Sequence, residues 1–472
     1  MPHHDLVIIG SGSGNSLVTP DLEHLDIAIV EGGDWFGGTC LNVGCIPTKM
    51  FVVPADRAHD AAHNDRLGIE TRFEGADWPA IRDRVFGRID PIAASGESYR
   101  REGDRTTLYR GHARFVGPRT LSVSLADGEV EVTADRVVIA TGSHPTVPDV
   151  FAQSDVTVHT SDTVMRLPEL PRRLLVVGGG FIACEMAHVF AGYGSAVTLA
   201  IRGGQLLGGE DVVVRDVVTR SLGQRCDLRT AVTVTDLSQG EHGIDVRFSD
   251  GSEIVVDEVL VATGRVPSTE RLGCDEGGIA LRPDGRVVVD EHGRTSAEGV
   301  WALGDVSSPY MLKHVANHEA RVVAHNLAHP DEMQVFNHRA VPSAVFTHPQ
   351  VASVGMTADE ARDAGHDVVV TVQEYGSTAY GWAMEDTESR CVLVGDRSTG
   401  DLLGAHIVGP QAATLIQPLV QAMSLDTSLD ELARAQYWIH PALTEVVENA
   451  VLGLLGHMSA PPEITESTQT PG

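Results

Sequence analysis

Apolar residues in this chain gather into short unbroken runs, and the runs stop at glycines or charges. Asp5-Leu6-Val7-Ile8-Ile9 opens directly into Gly10-Ser11-Gly12-Ser13-Gly14-Asn15, and a second run, Ile27-Ala28-Ile29-Val30, closes on Glu31. The same layout returns at Leu174-Leu175-Val176-Val177, which opens into Gly178-Gly179-Gly180-Phe181-Ile182-Ala183, and at Ala196-Val197-Thr198-Leu199-Ala200-Ile201. Runs of this length, set between glycine turns and helical stretches, predict two βαβ units. A helix is expected after each glycine turn, the first of them from Asn15 onward. Another helix is predicted over Lys313–Arg321, after the turn at Pro309. From about residue 337 the pattern changes to strands such as Ala344–Phe346, Val368–Val370 and Val392–Val394, interleaved with helices, which predicts a third, α+β domain. Residues 459–472 lack periodicity and are expected to be a disordered tail.

The glycine turns carry chemistry. Gly10 and Gly12 permit a tight turn and the close approach of backbone to a pyrophosphate. Glu31, about 20 residues on, stands where a ribose hydroxyl is bound. Asn15 occupies the third fingerprint position, where Gly or Ala is usual. The second unit has Gly178 and Gly180 in the same places, but Ile201 and then Arg202 where an acid would hold the ribose of NAD. An arginine suits a 2′-phosphate, which favours NADPH over NADH. Two Rossmann-like units in one chain predict an α/β protein holding two dinucleotides.

Composition narrows the class. A chain of 472 residues predicts two to four domains, and no apolar run approaches the roughly 18 residues of a membrane span. The start of the chain runs straight into a strand with no room for a signal peptide, so the expected location is cytoplasmic and the expected partners include no membrane. The net charge is −30, and Lys49 and Lys313 are the two lysines, which argues against a nucleic-acid surface. Four of the six cysteines, Cys184, Cys226, Cys274 and Cys391, are scattered singly.

The other two, Cys40 and Cys45, sit five residues apart in Gly37-Gly38-Thr39-Cys40-Leu41-Asn42-Val43-Gly44-Cys45-Ile46-Pro47-Thr48-Lys49. A short loop or distorted helical turn there can bring them within disulfide reach, so the pair can cycle between dithiol and disulfide. Two buried small side chains or half of a zinc site are the alternatives, although the spacing does not match zinc ligands. His314 and His318 share a helix face, but no third ligand stands at a suitable spacing, and no metal is expected. His440, before Pro441 and five residues ahead of Glu445, is the residue type that moves protons near neutral pH.

The run Gly-Gly-Thr-Cys-Leu-Asn-Val-Gly-Cys-Ile-Pro resembles the redox motif of the flavoprotein disulfide reductases, a family that includes glutathione reductase and dihydrolipoamide dehydrogenase. The resemblance covers nearly the whole chain. It includes two Ala-Thr-Gly turns, at Ala140-Thr141-Gly142 and Ala262-Thr263-Gly264, the second flavin motif Ala302-Leu303-Gly304-Asp305-Val306, and His440-Pro441 followed by Glu445.

The resemblance implies an FAD domain over 1–147 that resumes over 271–336, an NADPH domain over 148–270, and an interface domain over 337–458 through which two copies form a homodimer. It assigns Gly10, Gly12, Gly14, Glu31, Gly38, Thr39, Lys49, Thr141, Gly142, Gly304 and Asp305 to FAD. Gly178, Gly180, Ile182, Arg202 and Gly264 go to NADPH. A second arginine expected six residues after Arg202 is Gly208 here. Cys45 is implied to be the thiol nearer the flavin and Cys40 the one that attacks a small-molecule disulfide. His440, from the partner subunit, is implied to be the acid/base, oriented by Glu445, and Lys49 and Glu185 an ion pair beside the flavin.

Substrate choice rests on less general runs: Gly12–Ser16, Phe86–Ile92, His159–Arg166, Tyr380–Thr387 and Gln436–His440. These resemble the member of the family whose disulfide carries an uncharged sugar–inositol portion. The lack of arginine from Asn15 to Thr19 fits that better than the several carboxylates of glutathione disulfide. Dihydrolipoamide dehydrogenase is the enzymatic alternative, and a flavin-binding redox sensor the non-enzymatic one. Mercuric reductase and the long thioredoxin reductases need cysteines beyond Cys391, where this chain has none.

Overall fold

The computed structural model describes residues 1–460. Its chain divides into two compact units, one of 1–61, 73–204 and 225–338, the other of 62–72, 205–224 and the chain from Arg339 onward.

The first unit is built on two sheets. In the first, His3–Ile9 lies between Ile27–Glu31 and the second half of Gly128–Ile139, parallel to both, with Ile9 opposite Val30 on one side and Ile139 on the other. Thr106–Gly117 extends the sheet beyond Ile27–Glu31, and Val300–Ala302 extends it beyond Gly128–Ile139, again in parallel. The two longest strands then change partners. Gly111–Gly117 and Gly128–Thr133 pair antiparallel with Thr120–Leu125, which closes a meander onto the parallel core.

The unbroken apolar runs have a plain cause here. Leu6 and Ile8 belong to one core with Leu17, Ile27 and Ile29, while Val7 and Ile9 belong to another with Val30, Val137 and Ile139. Successive side chains of a strand point to opposite faces, so a strand covered on both faces has no place for a polar residue.

The expected helix after the first glycine turn is not there. Two 3-10 turns, Gly14–Leu17 and Pro20–Leu22, replace it. Pro20 supplies no N–H and restricts Thr19 before it, which stops helix propagation, while Leu17 and Leu22 still reach the core fully buried. Asn15 is tied from outside: Arg100 Nε, on the helix Trp78–Arg101, donates to its side-chain oxygen at 2.7 Å.

In the second sheet, Glu258–Val261, Arg173–Val177, Ala196–Ala200 and Asp227–Arg229 lie side by side, all parallel. Here the glycine turn does lead into a full helix, Phe181–Gly192, and a three-stranded antiparallel layer follows over Val234–Gly240, Gly243–Phe248 and Glu253–Val256. The helix predicted after Pro309 runs over Lys313–Ala328.

The second unit holds a five-stranded antiparallel sheet in the order Pro342–Val345, Val351–Gly355, Leu402–Val408, Arg390–Asp396, Val368–Glu374. The helix Thr444–Ser459 covers it, packing Val447, Val451 and Leu454 into one core with Cys391, Leu393 and Ile407. Ser459 is the last residue of that helix, so the expected tail does not begin there, and 461–472 lie outside the described residues. Among the described residues no helix is long and apolar enough to cross a membrane.

Candidate redox site

The cysteines stand on a broken helix. A short turn, Gly38–Asn42, carries Cys40, and the chain leaves helical geometry at Val43 (φ −141°) before Cys45 opens the 18-residue helix Cys45–Ala62. Gly38, at φ +74°, lies so close to the first glycine turn that a Cβ on it would come 2.6 Å from Gly12 Cα. Asn42 fixes the turn by donating to the carbonyls of Phe36 (2.9 Å) and Gly38 (3.0 Å). Pro54, inside the long helix, cannot donate to the Met50 carbonyl, and Arg84 Nη2 does so instead at 2.9 Å.

Both cysteines are free thiols, Cys40 half-buried and Cys45 exposed. The two thiols act on each other, and that interaction separates their acidities. Cys45 is held down to about 7 by the hydrogen bonding of Cys40 first and by the Lys49 ammonium next, against partial desolvation and the charge of Glu185. Cys40 is pushed well up, first by its hydrogen bond to Cys45, then by burial and the charge of Cys45, with Lys313 and Lys49 opposing. The first proton lost from the pair therefore leaves Cys45. Lys49 lies one turn along from Cys45, and its Nζ donates to both oxygens of Glu185 at 2.8 Å each. Glu185 is 3% exposed on the helix Phe181–Gly192.

These groups line one cavity of about 710 Å³ in the first unit. Its wall runs from Glu31 through Gly10, Gly12, Gly38 and Thr39 to Cys40, Cys45 and Lys49, and is completed by Thr141, Gly142, Ile182, Glu185, Gly304 and Asp305. Gly14 lies beneath that wall, where a Cβ would meet Ile8 Cγ2 at 2.8 Å. Glu31 accepts from the backbone N–H of Ser11 at 2.9 Å and of Gly33 at 2.6 Å, which fixes its carboxylate at the strand end.

Gly178 and Gly180 open the helix of the second glycine turn, and Gly264 follows the strand Glu258–Val261. Arg202 is exposed just past Ala196–Ala200. His440 and Glu445 belong to the second unit. His440 Nδ1 is 2.7 Å from Glu445 Oε1, and since a carboxylate only accepts, the proton sits on Nδ1 and Nε2 is left for chemistry. The same hydrogen bond is the first cause holding the Glu445 carboxyl below its ordinary range.

Several lining residues escaped the sequence reading. Ser143 donates to Asp305 Oδ2 at 2.7 Å and is itself held by Arg265 at 2.9 Å. Lys313 donates to Ser13 Oγ at 2.9 Å. Ser143 follows the first Ala-Thr-Gly turn directly, and Lys313 is one of two lysines, the only signals that pointed to either.

The first glycine of each glycine turn is pressed against the alanine of an Ala-Thr-Gly turn. A Cβ on Gly10 would lie 2.3 Å from the Ala140 carbonyl oxygen, and one on Gly178 would lie 2.2 Å from that of Ala262. Gly180, in contrast, has open space around a would-be Cβ. Two such cradles, one continuous with a cysteine pair and a strand-end carboxylate, fit two dinucleotides and define a nucleotide-dependent dithiol–disulfide oxidoreductase.

The chain belongs to the pyridine nucleotide-disulphide oxidoreductases. The family model of that description matches residues 4–320, and that of the family's dimerisation domain matches 341–451. It is an NADPH-dependent flavoprotein using FAD. Mycothione reductase of Mycobacterium tuberculosis is 52% identical over 461 residues, covering 96% of this chain and 100% of that protein. Dihydrolipoyl dehydrogenase of Mycobacterium bovis is 33% identical, covering 97% of this chain and 99% of that protein. Among solved structures, the Cu(II) complex of the HOCl-induced flavoprotein disulfide reductase of Escherichia coli superposes with a TM-score of 0.85 at 27% identity, covering 96% of this chain and 99% of that one.

Proposed function

We propose that this chain reduces mycothione to mycothiol at the expense of NADPH, working as a cytoplasmic homodimer. The likeness at 52% identity to a mycothione reductase, over the whole of that protein, carries the reading. The runs Phe86–Ile92, His159–Arg166 and Gln436–His440 resemble that enzyme and support it from the sequence. The division into FAD (1–147 and 271–336), NADPH (148–270) and interface (337–458) domains is part of the same proposal.

Gly10, Gly12, Gly14, Glu31, Gly38, Thr39, Lys49, Thr141, Gly142, Gly304 and Asp305 would hold FAD. Gly178, Gly180, Ile182, Arg202 and Gly264 would hold NADPH. FAD, when bound, would supply the route by which an electron pair from NADPH reaches the cysteines. The chain's own residues do the rest. With the pair reduced, the Cys40 sulfur attacks one sulfur of the substrate disulfide, and the other sulfur leaves as a thiolate. His440 of the partner subunit takes the Cys40 proton through Nε2 and returns it to that leaving thiolate, while Glu445 holds Nδ1–H. Cys45, ionised at about pH 7, then attacks the Cys40 sulfur and expels the second product as a thiolate, which takes its proton from solvent, restoring the Cys40–Cys45 disulfide.

The test is NADPH and NADH oxidation by purified flavoprotein with mycothione or glutathione disulfide, beside NAD reduction with dihydrolipoamide. Turnover with mycothione and NADPH is expected. Faster turnover of dihydrolipoamide with NAD would overturn the substrate and the reading of Arg202 together.

A further inference from the structure

Of the 35 basic residues in this chain, 33 are arginines. The two lysines, Lys49 and Lys313, are 264 positions apart, yet both line the cavity that holds Cys40 and Cys45. A chain that uses arginine everywhere else keeps its only two compact ammonium groups at one site. Lysine differs from arginine in offering a point charge with three rotatable donors on a slim stem, which fits where a planar guanidinium does not.

Lys49 has an evident partner in Glu185. Lys313 is placed differently. It is the first residue of the helix Lys313–Ala328, and its Nζ donates to Ser13 Oγ at 2.9 Å, which pins the ammonium against the first glycine turn. Ser13 lies one residue beyond Gly12, the glycine packed on Gly38 beside the Cys40 turn. Within its own chain, Cys45 and burial disfavour the charged form of Cys40, and Lys313 and Lys49 favour it, beside the base that His440 of the partner subunit would supply. Lys49 is already committed to Glu185, and Glu185 in turn opposes ionisation of Cys45.

We propose that Lys313 is the cation that stabilises the thiolate of Cys40 as it attacks the substrate disulfide. The proposal rests on the disulfide reductase reading but not on which disulfide is used. In the step it serves, the Cys40 thiolate donates its electron pair to one substrate sulfur, the S–S bond breaks, and the other sulfur departs with the bonding pair and is protonated. Before attack the negative charge sits on Cys40, within the field of Lys313; afterwards Cys40 is a neutral mixed disulfide and the charge has left with the first product.

The experiment isolates Cys40 in the flavin-loaded Cys45→Ser protein and follows its alkylation by iodoacetamide against pH, reading the Cys40 peptide by mass spectrometry. Lys313→Met in that background is expected to move the midpoint upward and slow alkylation at neutral pH about tenfold, as loss of a nearby opposite charge does. Lys313→Arg, which keeps a charge, is expected to restore most of the rate. An unchanged profile in Lys313→Met, or equal losses in the Met and Arg variants, would overturn the proposal. If Lys313→Met does not retain flavin, Lys313→Gln serves instead: a neutral side chain that can still donate to Ser13 is expected to give the same upward move, and no move would overturn it. None of these readouts involves mycothione, so they stand or fall apart from the choice of substrate.

Discussion

Glu185 accepts a hydrogen bond from the Lys49 ammonium on each of its two oxygens at 2.8 Å, with the carboxylate almost wholly buried and the lysine side chain one-third exposed. The pair therefore sets two opposed charges beside Cys45, and its two members act on that thiol with opposite sign. Lys49→Met is expected to raise the pH at which Cys45 ionises by about one pH unit, and Glu185→Gln to lower it. Lys49→Met also takes the opposite charge away from a buried carboxylate, at a cost of about 3 kcal/mol. Alkylation profiles of Cys45 together with urea unfolding would check both. Shifts in the same direction would show that damage, not charge, is being measured.

The hydrogen bond from Cys40 is the largest cause of the acidity of Cys45. In the reduced enzyme, Cys45 alkylation is expected to be half-maximal at about pH 7. Cys40→Ala removes the donor while burial and Glu185 remain, so the midpoint should climb into the ordinary thiol range. A midpoint still near neutrality would assign the effect to Lys49 instead.

The two glycines of the first turn do different work, and substitution separates them. Gly10 is at φ +107° with the Ala140 carbonyl in the way of any Cβ, so Gly10→Ala should cost about 3 kcal/mol or more in the apoprotein. A Cβ on Gly12 would meet Gly38 Cα at an ordinary 3.6 Å. Gly12→Ala should leave apoprotein stability within about 1 kcal/mol and weaken FAD binding about tenfold, because only the backbone's approach to pyrophosphate is spoiled. Thermal unfolding and flavin titration would distinguish the two. A Gly12→Ala protein that unfolds like Gly10→Ala would place both glycines in packing alone.

What was legible in the sequence was whatever depends on neighbours along the chain. The strand His3–Ile9, its glycine turn and the terminal Glu31 are one local pattern, and so is the spacing of Cys40 and Cys45 on a broken helix. The missing helix after Asn15 shows where local reading stops. Pro20 was visible as a breaker, but the anchor that holds Asn15 is Arg100, 85 residues away. Ser143 bonding Asp305 across 162 residues, and Lys313 bonding Ser13 across 300, are likewise products of topology. No period or spacing encodes such pairs; the place of Ser143 after an Ala-Thr-Gly turn and the rarity of lysine were their only traces.

His440 and Glu445 share one subunit, 2.7 Å apart, and the proposed mechanism lends them to the cysteines of the other copy. General acid–base help of this kind is worth about 100-fold or more, so His440→Ala should lose at least that in disulfide turnover while NADPH still reduces the Cys40–Cys45 pair at the native rate. Glu445→Gln should lose about tenfold, since the ring keeps its nitrogens but not the carboxylate that fixes their protonation. The subunit assignment follows from mixing. A purified heterodimer of one Cys40→Ser and one His440→Ala subunit has, on a shared-site arrangement, one site with both groups intact and one with neither. It should turn over at about half the native rate, although each parental homodimer is nearly inactive. A silent heterodimer would return His440 to the cysteines of its own chain.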